Sequence, residues 1–213
     1  MINKDTEIYC SFAEKAGNIG CKLFNSSFNY YGMDKIYKSF SINNIEDAID
    51  AVKTLDIKGF AVSMPFKVEV IDYLDELESG VQSIGAVNTV INDNGYLIGY
   101  NTDYLAAKEV LDECLGIDLY ILGNGGYSRA VQQAAKDLGY KPNIISRSNW
   151  KNIKNIKDSI VYNCTPIRKI KVDKSNEFID CIVSTPTGSR LSWIQASHQF
   201  KLYTGKELPI RRM

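Results

Sequence analysis

The sequence predicts a two-domain α/β protein whose second half is built on a parallel sheet. Three observations carry that expectation. Short apolar runs alternate with amphipathic stretches along most of the 213 residues. From Asp103 onward the alternation runs strand, helix, strand, the pattern of a parallel sheet with crossover connections. A glycine-rich turn, Gly123 to Gly126, opens that second half between a strand and a helix.

Taken in order, Asn43 to Gly59 predicts an amphipathic helix with a stop, because Ile45, Ala48, Ile49, Val52 and Leu55 recur at helical spacing. Asn43 and Glu46 have the spacing of a capping box. GFAVSMPF is an apolar run closed by Pro65, which suits a buried strand ending at the sheet's edge. A further helical stretch is expected over Val68 to Leu77. AVNTVI is extended, Asn94-Gly95 reverses the chain, and YLIGY returns as its hairpin partner. Tyr104 to Leu115 reads as a helix and LYIL as a strand. After the glycine turn, Ala130, Val131, Ala134, Ala135 and Leu138 share one helical face, and Gly139 supplies the stop. NIIS, IVYN and DCIV are the next expected strands, and Gly188 to Gly205 is helical again.

Composition narrows the function. Hydrophobic residues at 45% are enough for a real interior, and 25 Lys and Arg balance 25 Asp and Glu. No long-range field therefore draws in nucleic acid or an anionic membrane. No apolar run approaches the roughly 18 residues of a bilayer span. MINKDTEIYC has lysine and aspartate where a signal peptide needs its apolar stretch, so the expected location is cytoplasmic. The 5 cysteines are scattered and never paired as CxxC, and read as reduced thiols. His198 is the only histidine, so a zinc site of several imidazoles is excluded and no metal is expected. Chemistry then falls to lysine, carboxylates, hydroxyls, amides or a borrowed cofactor.

Gly123-Asn124-Gly125-Gly126-Tyr127 sits where a dinucleotide fingerprint belongs. Gly123 permits the tight turn, and Gly125 and Gly126 let a pyrophosphate approach the amides at the positive end of the helix. The spacing is GxGGxxxA rather than GxGxxG, and a turn holding no ligand stays an alternative. At the end of the next strand, Ser146-Arg147-Ser148 offers no acid for ribose hydroxyls. A guanidinium and two hydroxyls suit a 2′-phosphate instead, which favours NADP over NAD. The alternative is that Arg147 is an ordinary surface cation. Lys67 and Asp103 are each unremarkable alone, as a surface lysine and a helix N-cap.

Together, SMPFK, GAVNTV, GYNTD and LGNGGYSRA resemble the shikimate and quinate dehydrogenase family in order and spacing, over most of the chain and closest to the shikimate dehydrogenase-like subgroup. The resemblance implies reversible oxidation of a ring hydroxyl on a small hydroxy acid, with Lys67 and Asp103 as the catalytic pair. It implies substrate contacts at Ser63, Asn88 and Gln195, and places Thr165 by the cofactor. Leu191, Gln195, His198 and Leu202 lie on one helical seam, where a polar residue needs a partner; His198 reads as a core or rim residue. The division implied is residues 1–102 with 188–213 as the substrate domain and 103–187 as a shortened Rossmann-type NADP domain.

The sequence also departs from the family. Ser11 is the counterpart of the first residue of the family's Ser-x-Ser pair, and Ala13 replaces the second. Ala61 stands for a usual asparagine, and DCIVSTP lacks a usual tyrosine. The stretch from Arg147 to Asn163 is short for a crossover helix, a helix-strand unit is missing before the last helix, and KELPIRRM replaces the usual final helix. A pruned nucleotide domain buries less surface, for which a homodimer is one remedy. It also leaves open a degenerate member that binds a nucleotide or small acid as a sensor without turnover, and an enzyme acting on a different hydroxy acid.

Overall fold

The computed structural model describes residues 2–116 and 118–209; residues 210–213 of the KELPIRRM tail lie outside them. The chain forms two compact units, Met1–Thr102 with Ala196–Met213, and Asp103–Gln195. The mixed α/β architecture with parallel strands agrees with the expectation from sequence.

The first unit runs β1 (Glu7–Ala13), α1 (Ile19–Tyr30), β2 (Lys35–Ser41), α2 (Ile45–Thr54), β3 (Gly59–Val62), β4 (Glu76–Leu77), α3 (Val81–Ile84), β5 (Thr89–Asp93) and β6 (Tyr96–Tyr100). Its six-stranded sheet is ordered β2-β1-β3-β5-β6-β4. β1 pairs in parallel with β2 and β3, whereas β5 is antiparallel to β3 and β6. The β5–β6 hairpin turns at Asn94-Gly95, both with positive φ, as the primed turn of a tight hairpin requires.

Successive strand residues face opposite sides of a sheet. Cys10 and Phe12 accordingly join Phe60, Val62, Val90 and Leu97 against Ile45, Ile49 and Val52 of α2. Tyr9 points the other way, with its ring centroid 4.9 Å from that of Tyr203. There Phe24 and Phe28 of α1 stack around Phe200, at 6.1 and 5.7 Å. These rings return the end of the chain to the first unit.

The second unit continues with α4 (Thr102–Asp112), β7 (Leu119–Leu122), α5 (Gly126–Asp137), β8 (Asn143–Ile145), β9 (Ile160–Asn163), β10 (Glu177–Asp180) and α6 (Pro186–Thr204). Its four strands are ordered β10-β9-β7-β8 and are all parallel. Ala130, Val131, Ala134 and Ala135 of α5 are buried as the periodicity predicts. A 3-10 stretch, Arg147–Asn155, stands where a crossover helix would be.

Four expectations are corrected. The cap of α2 is Asn44, whose side chain accepts from the Glu46 amide, so the box proposed for Asn43 does not form. Val68 to Leu77 is a single 3-10 turn over Glu69–Tyr73 followed by β4, because only Val70 of that turn is buried and no apolar stripe supports a longer helix. The last strand is EFID, not DCIV. Asp180 ends it by accepting the Ile182 amide on its own carboxylate and the Thr187 hydroxyl on its carbonyl, which turns the chain toward α6. The seam on α6 is displaced as well. Leu202 is exposed, and the buried positions are Leu191, Ala196, Gln199, Phe200 and Tyr203.

The join between β10 and α6 is tight enough to demand glycine. A Cβ on Gly188 would lie 2.1 Å from the Ile182 carbonyl oxygen and 2.9 Å from that of Asp180. Gly188→Ala is therefore expected to destabilise the protein by about 3 kcal/mol, the upper end for forced overpacking, measured by urea unfolding. Burial also pushes the Cys114 thiol up to about 12 and raises the Cys10 and Cys164 thiols. A raised thiol pKa stabilises the fold fully below the unfolded value of about 8.5, and that contribution declines steadily as pH rises from there and is gone once pH has passed through the folded value. The urea midpoint should therefore fall between pH 8 and pH 10, with no matching fall between pH 6 and pH 8.

Candidate active site

Each unit carries one set of site residues. In the first unit, the segment Ser63 to Lys67 leaves β3 and is held at both ends by backbone bonds. The Ser63 amide donates to the Phe12 carbonyl at 2.9 Å, and the Val87 amide donates to the Lys67 carbonyl at 2.7 Å. Phe66 is buried and anchors the loop, while Ser63 is exposed and Lys67 half-buried. Lys67 is thus fixed beside Val87-Asn88.

Asn88 is 3% exposed and is the most heavily bonded residue of this set. Its carbonyl accepts from the Val62 amide at 2.8 Å and its amide donates to the Tyr100 carbonyl at 3.1 Å. Its Oδ1 accepts from the Thr102 amide at 2.8 Å and from the Thr89 hydroxyl at 2.9 Å, and its Nδ2 donates to Thr102 Oγ1 at 2.9 Å. Asn101 Nδ2 donates to the Ala86 carbonyl at 2.7 Å. The strand end that carries Asn88 therefore fixes Thr102, the first residue of α4, and Asp103 follows in the next position. Ser11 lies in β1, in register with Ala61, and its hydroxyl donates to Ser39 Oγ at 2.9 Å.

In the second unit, three loops leave the sheet at one level, because Leu122 pairs with both Ile145 and Asn163. The first is the glycine turn. Gly123 has φ +106°, a conformation costly for any residue with a Cβ, and a Cβ there would meet Thr165 Cγ2 at 2.9 Å. Gly123 is locked by its amide bond to the Ile145 carbonyl at 2.7 Å and by the Ser128 hydroxyl on its own carbonyl at 2.8 Å. Gly125 precedes α5 without a side-chain cap, and the first turn holds no acid. Asn124 is exposed and accepts from Gln132 Nε2 at 3.3 Å.

The second loop is Ser146-Arg147-Ser148. Ser146 and Asn149 form a capping box, the Ser146 and Ser148 hydroxyls are 2.9 Å apart, and Arg147 is exposed. The third is Asn163-Cys164-Thr165, where buried Asn163 Oδ1 accepts from the Thr165 amide and hydroxyl at 2.9 and 2.7 Å. Thr165 is thereby set against the glycine turn.

Tyr127 behaves differently from its neighbours in the turn. Its hydroxyl lies 2.9 Å from that of Tyr162 and its ring packs on the core cluster of α4, α5 and the sheet, so its backbone amide is its contribution to the turn. Burial pushes both phenols well above the usual tyrosine range, and the charge of buried Asp103 adds to the rise. Both remain neutral hydroxyls.

The motifs did not single out Thr89, Thr102, Tyr162 or Gln199. Gln195 Nε2 donates to the Ser192 carbonyl of its own helix at 3.1 Å, whereas Gln199, at 2% exposure, donates to Thr89 Oγ1 at 2.9 Å. A stripe at 196, 199, 200 and 203 would have found Gln199. Among the described residues no group of three or more His, Cys, Asp or Glu is placed to hold a metal, and no helix is long and apolar enough to cross a membrane.

Residues 19–90 match the family model described as the shikimate dehydrogenase substrate binding domain. A shikimate dehydrogenase-like protein of Haemophilus influenzae is 32% identical over 96% of this chain and 93% of its own length. A shikimate dehydrogenase (NADP(+)) of Pyrococcus furiosus is 38% identical over 68% of this chain, which spans only 54% of that relative. The crystal structure of shikimate dehydrogenase from Aquifex aeolicus superposes with a TM-score of 0.85 at 26% identity, over 98% of this chain and 96% of that one. The pinned lysine loop, the NTD helix start and the glycine turn thus stand in a chain that belongs to the shikimate dehydrogenase family.

Proposed function

We propose that this protein is an NADP-dependent oxidoreductase of the shikimate dehydrogenase type. It would move a hydride reversibly between a ring carbinol of shikimate, or of a quinate-like hydroxy acid, and a nicotinamide. The observation that carries this reading is the backbone bond from Val87 to the Lys67 carbonyl, next to Asn88, whose side chain accepts from the Thr102 amide one position before Asp103. In this reading residues 1–102 with 188–213 hold the hydroxy acid and residues 103–187 hold the nucleotide. The name of the Pyrococcus furiosus relative supports the choice of cofactor.

The residues present fit a dinucleotide. The uncapped, acid-free start of α5 offers backbone amides and the positive end of a helix of 12 residues to a pyrophosphate. A Cβ on Gly125 would meet nothing within 4 Å, so ligand atoms have room there. Ser146, Arg147 and Ser148 suit a 2′-phosphate, and Thr165 lies beside Gly123.

When bound, the nicotinamide supplies the hydride acceptor. The remaining work falls to the chain. A carbinol that loses hydride must also lose its hydroxyl proton as the C–O bond becomes a carbonyl. Lys67 and Asp103 take that proton between them and pass it to solvent, so the oxidation yields a ketone, a reduced nicotinamide and one proton. Asn88 spends one Nδ2 hydrogen on Thr102 and has a second to donate to a substrate oxygen. Ser63, Ser11 and Gln195 complete the substrate contacts.

Absorbance at the reduced-nicotinamide band, with shikimate or quinate and either nucleotide, tests the proposal. Turnover with NADP is expected, and Lys67→Ala and Asp103→Asn should each lower kcat by about 100-fold or more, the range for lost general acid–base catalysis. Absence of turnover with either acid and either nucleotide sinks it; nucleotide stabilisation in a thermal melt without turnover would instead mark a binding protein. Removing the guanidinium in Arg147→Ala should raise KM for NADP by about tenfold or more and leave that for NAD within twofold, since a charge-assisted bond to phosphate contributes roughly 1.5–3 kcal/mol.

A further inference from the structure

We propose that Gln199 is a positioning residue for the substrate amide of Asn88, acting through Thr89. The inference rests on the substrate role given to Asn88 above and extends it to a helix more than a hundred residues away in the chain. Four side chains form one buried run of hydrogen bonds. Gln199 Nε2 donates to Thr89 Oγ1 at 2.9 Å, Thr89 Oγ1 donates to Asn88 Oδ1 at 2.9 Å, and Asn88 Nδ2 donates to Thr102 Oγ1 at 2.9 Å. Gln199, Thr89, Asn88 and Thr102 are 2%, 0%, 3% and 0% exposed, so water does not compete for any of these bonds.

The run has a direction. A hydroxyl has one hydrogen and two acceptor lone pairs, and an amide nitrogen only donates. With Gln199 Nε2 occupying a lone pair of Thr89, the Thr89 hydrogen has two acceptors within reach, Asn88 Oδ1 at 2.9 Å and Thr102 Oγ1 at 3.4 Å, and the shorter contact directs it to Asn88 Oδ1. Oδ1 is then held by two close donors, Thr89 and the Thr102 amide at 2.8 Å, with the Thr102 hydroxyl farther off at 3.3 Å. The carboxamide cannot turn over without breaking both, so the group Asn88 presents to a ligand is an N–H donor. The same two bonds hold the first residue of α4, one position before Asp103.

Gln199 itself is kept in place by packing. It lies between Ala196 and Phe200 on the buried stripe of α6, and Phe200 sits among Phe24, Phe28 and Tyr31. A glutamine with no work to do on that stripe would be replaceable by leucine at no loss, since a buried amide is costly unless bonded.

The test compares Gln199→Leu, Gln199→Met and Gln199→Glu with the unaltered protein by two readouts. The first is KM for shikimate against KM for NADP and kcat. The second, which needs no turnover, is the exchange rate of the Thr102 backbone amide followed by NMR, with the α2 amides as internal control. In Gln199→Leu or Gln199→Met, KM for shikimate should rise at least fivefold with KM for NADP within twofold. The Thr102 amide should exchange at least fivefold faster while α2 stays unchanged. Gln199→Glu should do more, because its carboxylate takes the Thr89 hydrogen away from Asn88. In a Thr89→Val background the Gln199→Leu effect should disappear. Folded variants with KM and Thr102 exchange within twofold of the unaltered protein overturn the proposal, as does equal acceleration at α2 or an unchanged Gln199→Leu effect in Thr89→Val. If the unaltered protein does not turn over shikimate, the function proposed above fails, and the Thr102 exchange alone decides whether Gln199 holds Asn88.

Discussion

The first unit depends on one buried carboxamide-bearing residue. Asn88 bonds through its main chain to Val62 and Tyr100, and through its side chain to Thr89 and Thr102. Those partners belong to the strand before the lysine loop, to the far arm of the hairpin, to the first position of β5 and to the helix that follows. A side chain with so many partners in a dry interior has one geometry, because each bond given up leaves a buried polar group unpaired at a cost of about 1–3 kcal/mol. The backbone of Lys67 is then tied to that geometry by the bond from the Val87 amide to its carbonyl. Order reaches the exposed loop from a core that water does not enter.

The second unit solves a different problem with backbone geometry. In an open parallel sheet, ligands bind beyond the carboxyl ends of the strands, where successive connections leave to opposite sides. The order β10-β9-β7-β8 places such a point at β7, which is flanked by both of the strands that follow it in the chain. Gly123, Ser146 and Cys164 all leave the sheet there, and each loop is stiffened by local bonds: Ser128 on Gly123, Asn149 on Ser146, Asn163 on Thr165. The phosphate site proposed for the glycine turn would need no more than that its amides stay where they are.

How legible this was from sequence varies with the physics of each element. α2, α5, the β5–β6 hairpin and the glycine turn follow from periodicity and from glycine or Asn-Gly placement, because each is a local pattern. The errors fall where tertiary contacts decide. DCIV has strand composition, yet the chain pairs EFID, since Asp180 ends the strand with its own side-chain and main-chain bonds to Ile182 and Thr187. Val68 to Leu77 lost its helix because its backbone is drawn toward the hairpin, with the Asp75 amide on the Leu97 carbonyl and the Glu78 amide on that of Gly99. Gln195 stood out as a polar residue on an apparent seam. The buried amide is Gln199, whose partner Thr89 lies too far away in the chain for any periodicity to reveal. Tyr127 was legible as part of the turn, but nothing local foretold that its ring would leave the turn for Tyr162.

The shortened connection between β8 and β9 follows from the same balance of reach against burial. It must pass over β7, two strand spacings or about 9.6 Å, and also travel back along the sheet. The nine residues Arg147–Asn155, broken at Asn149 with φ −122°, form 3-10 turns that advance about 2.0 Å per residue against 1.5 Å in an α-helix. That reaches at most roughly 18 Å, enough for the return with few residues. What such a thin connection gives up is the wide apolar face of an α-helix. The loss is offset by concentrating large side chains: Ile153 and Ile156 are buried against Leu122, Ile145 and Val161, and Trp150 covers their margin. The face of the sheet behind the glycine turn is thus dry without a crossover helix, so the turn rests on a packed support even in a domain reduced to four strands.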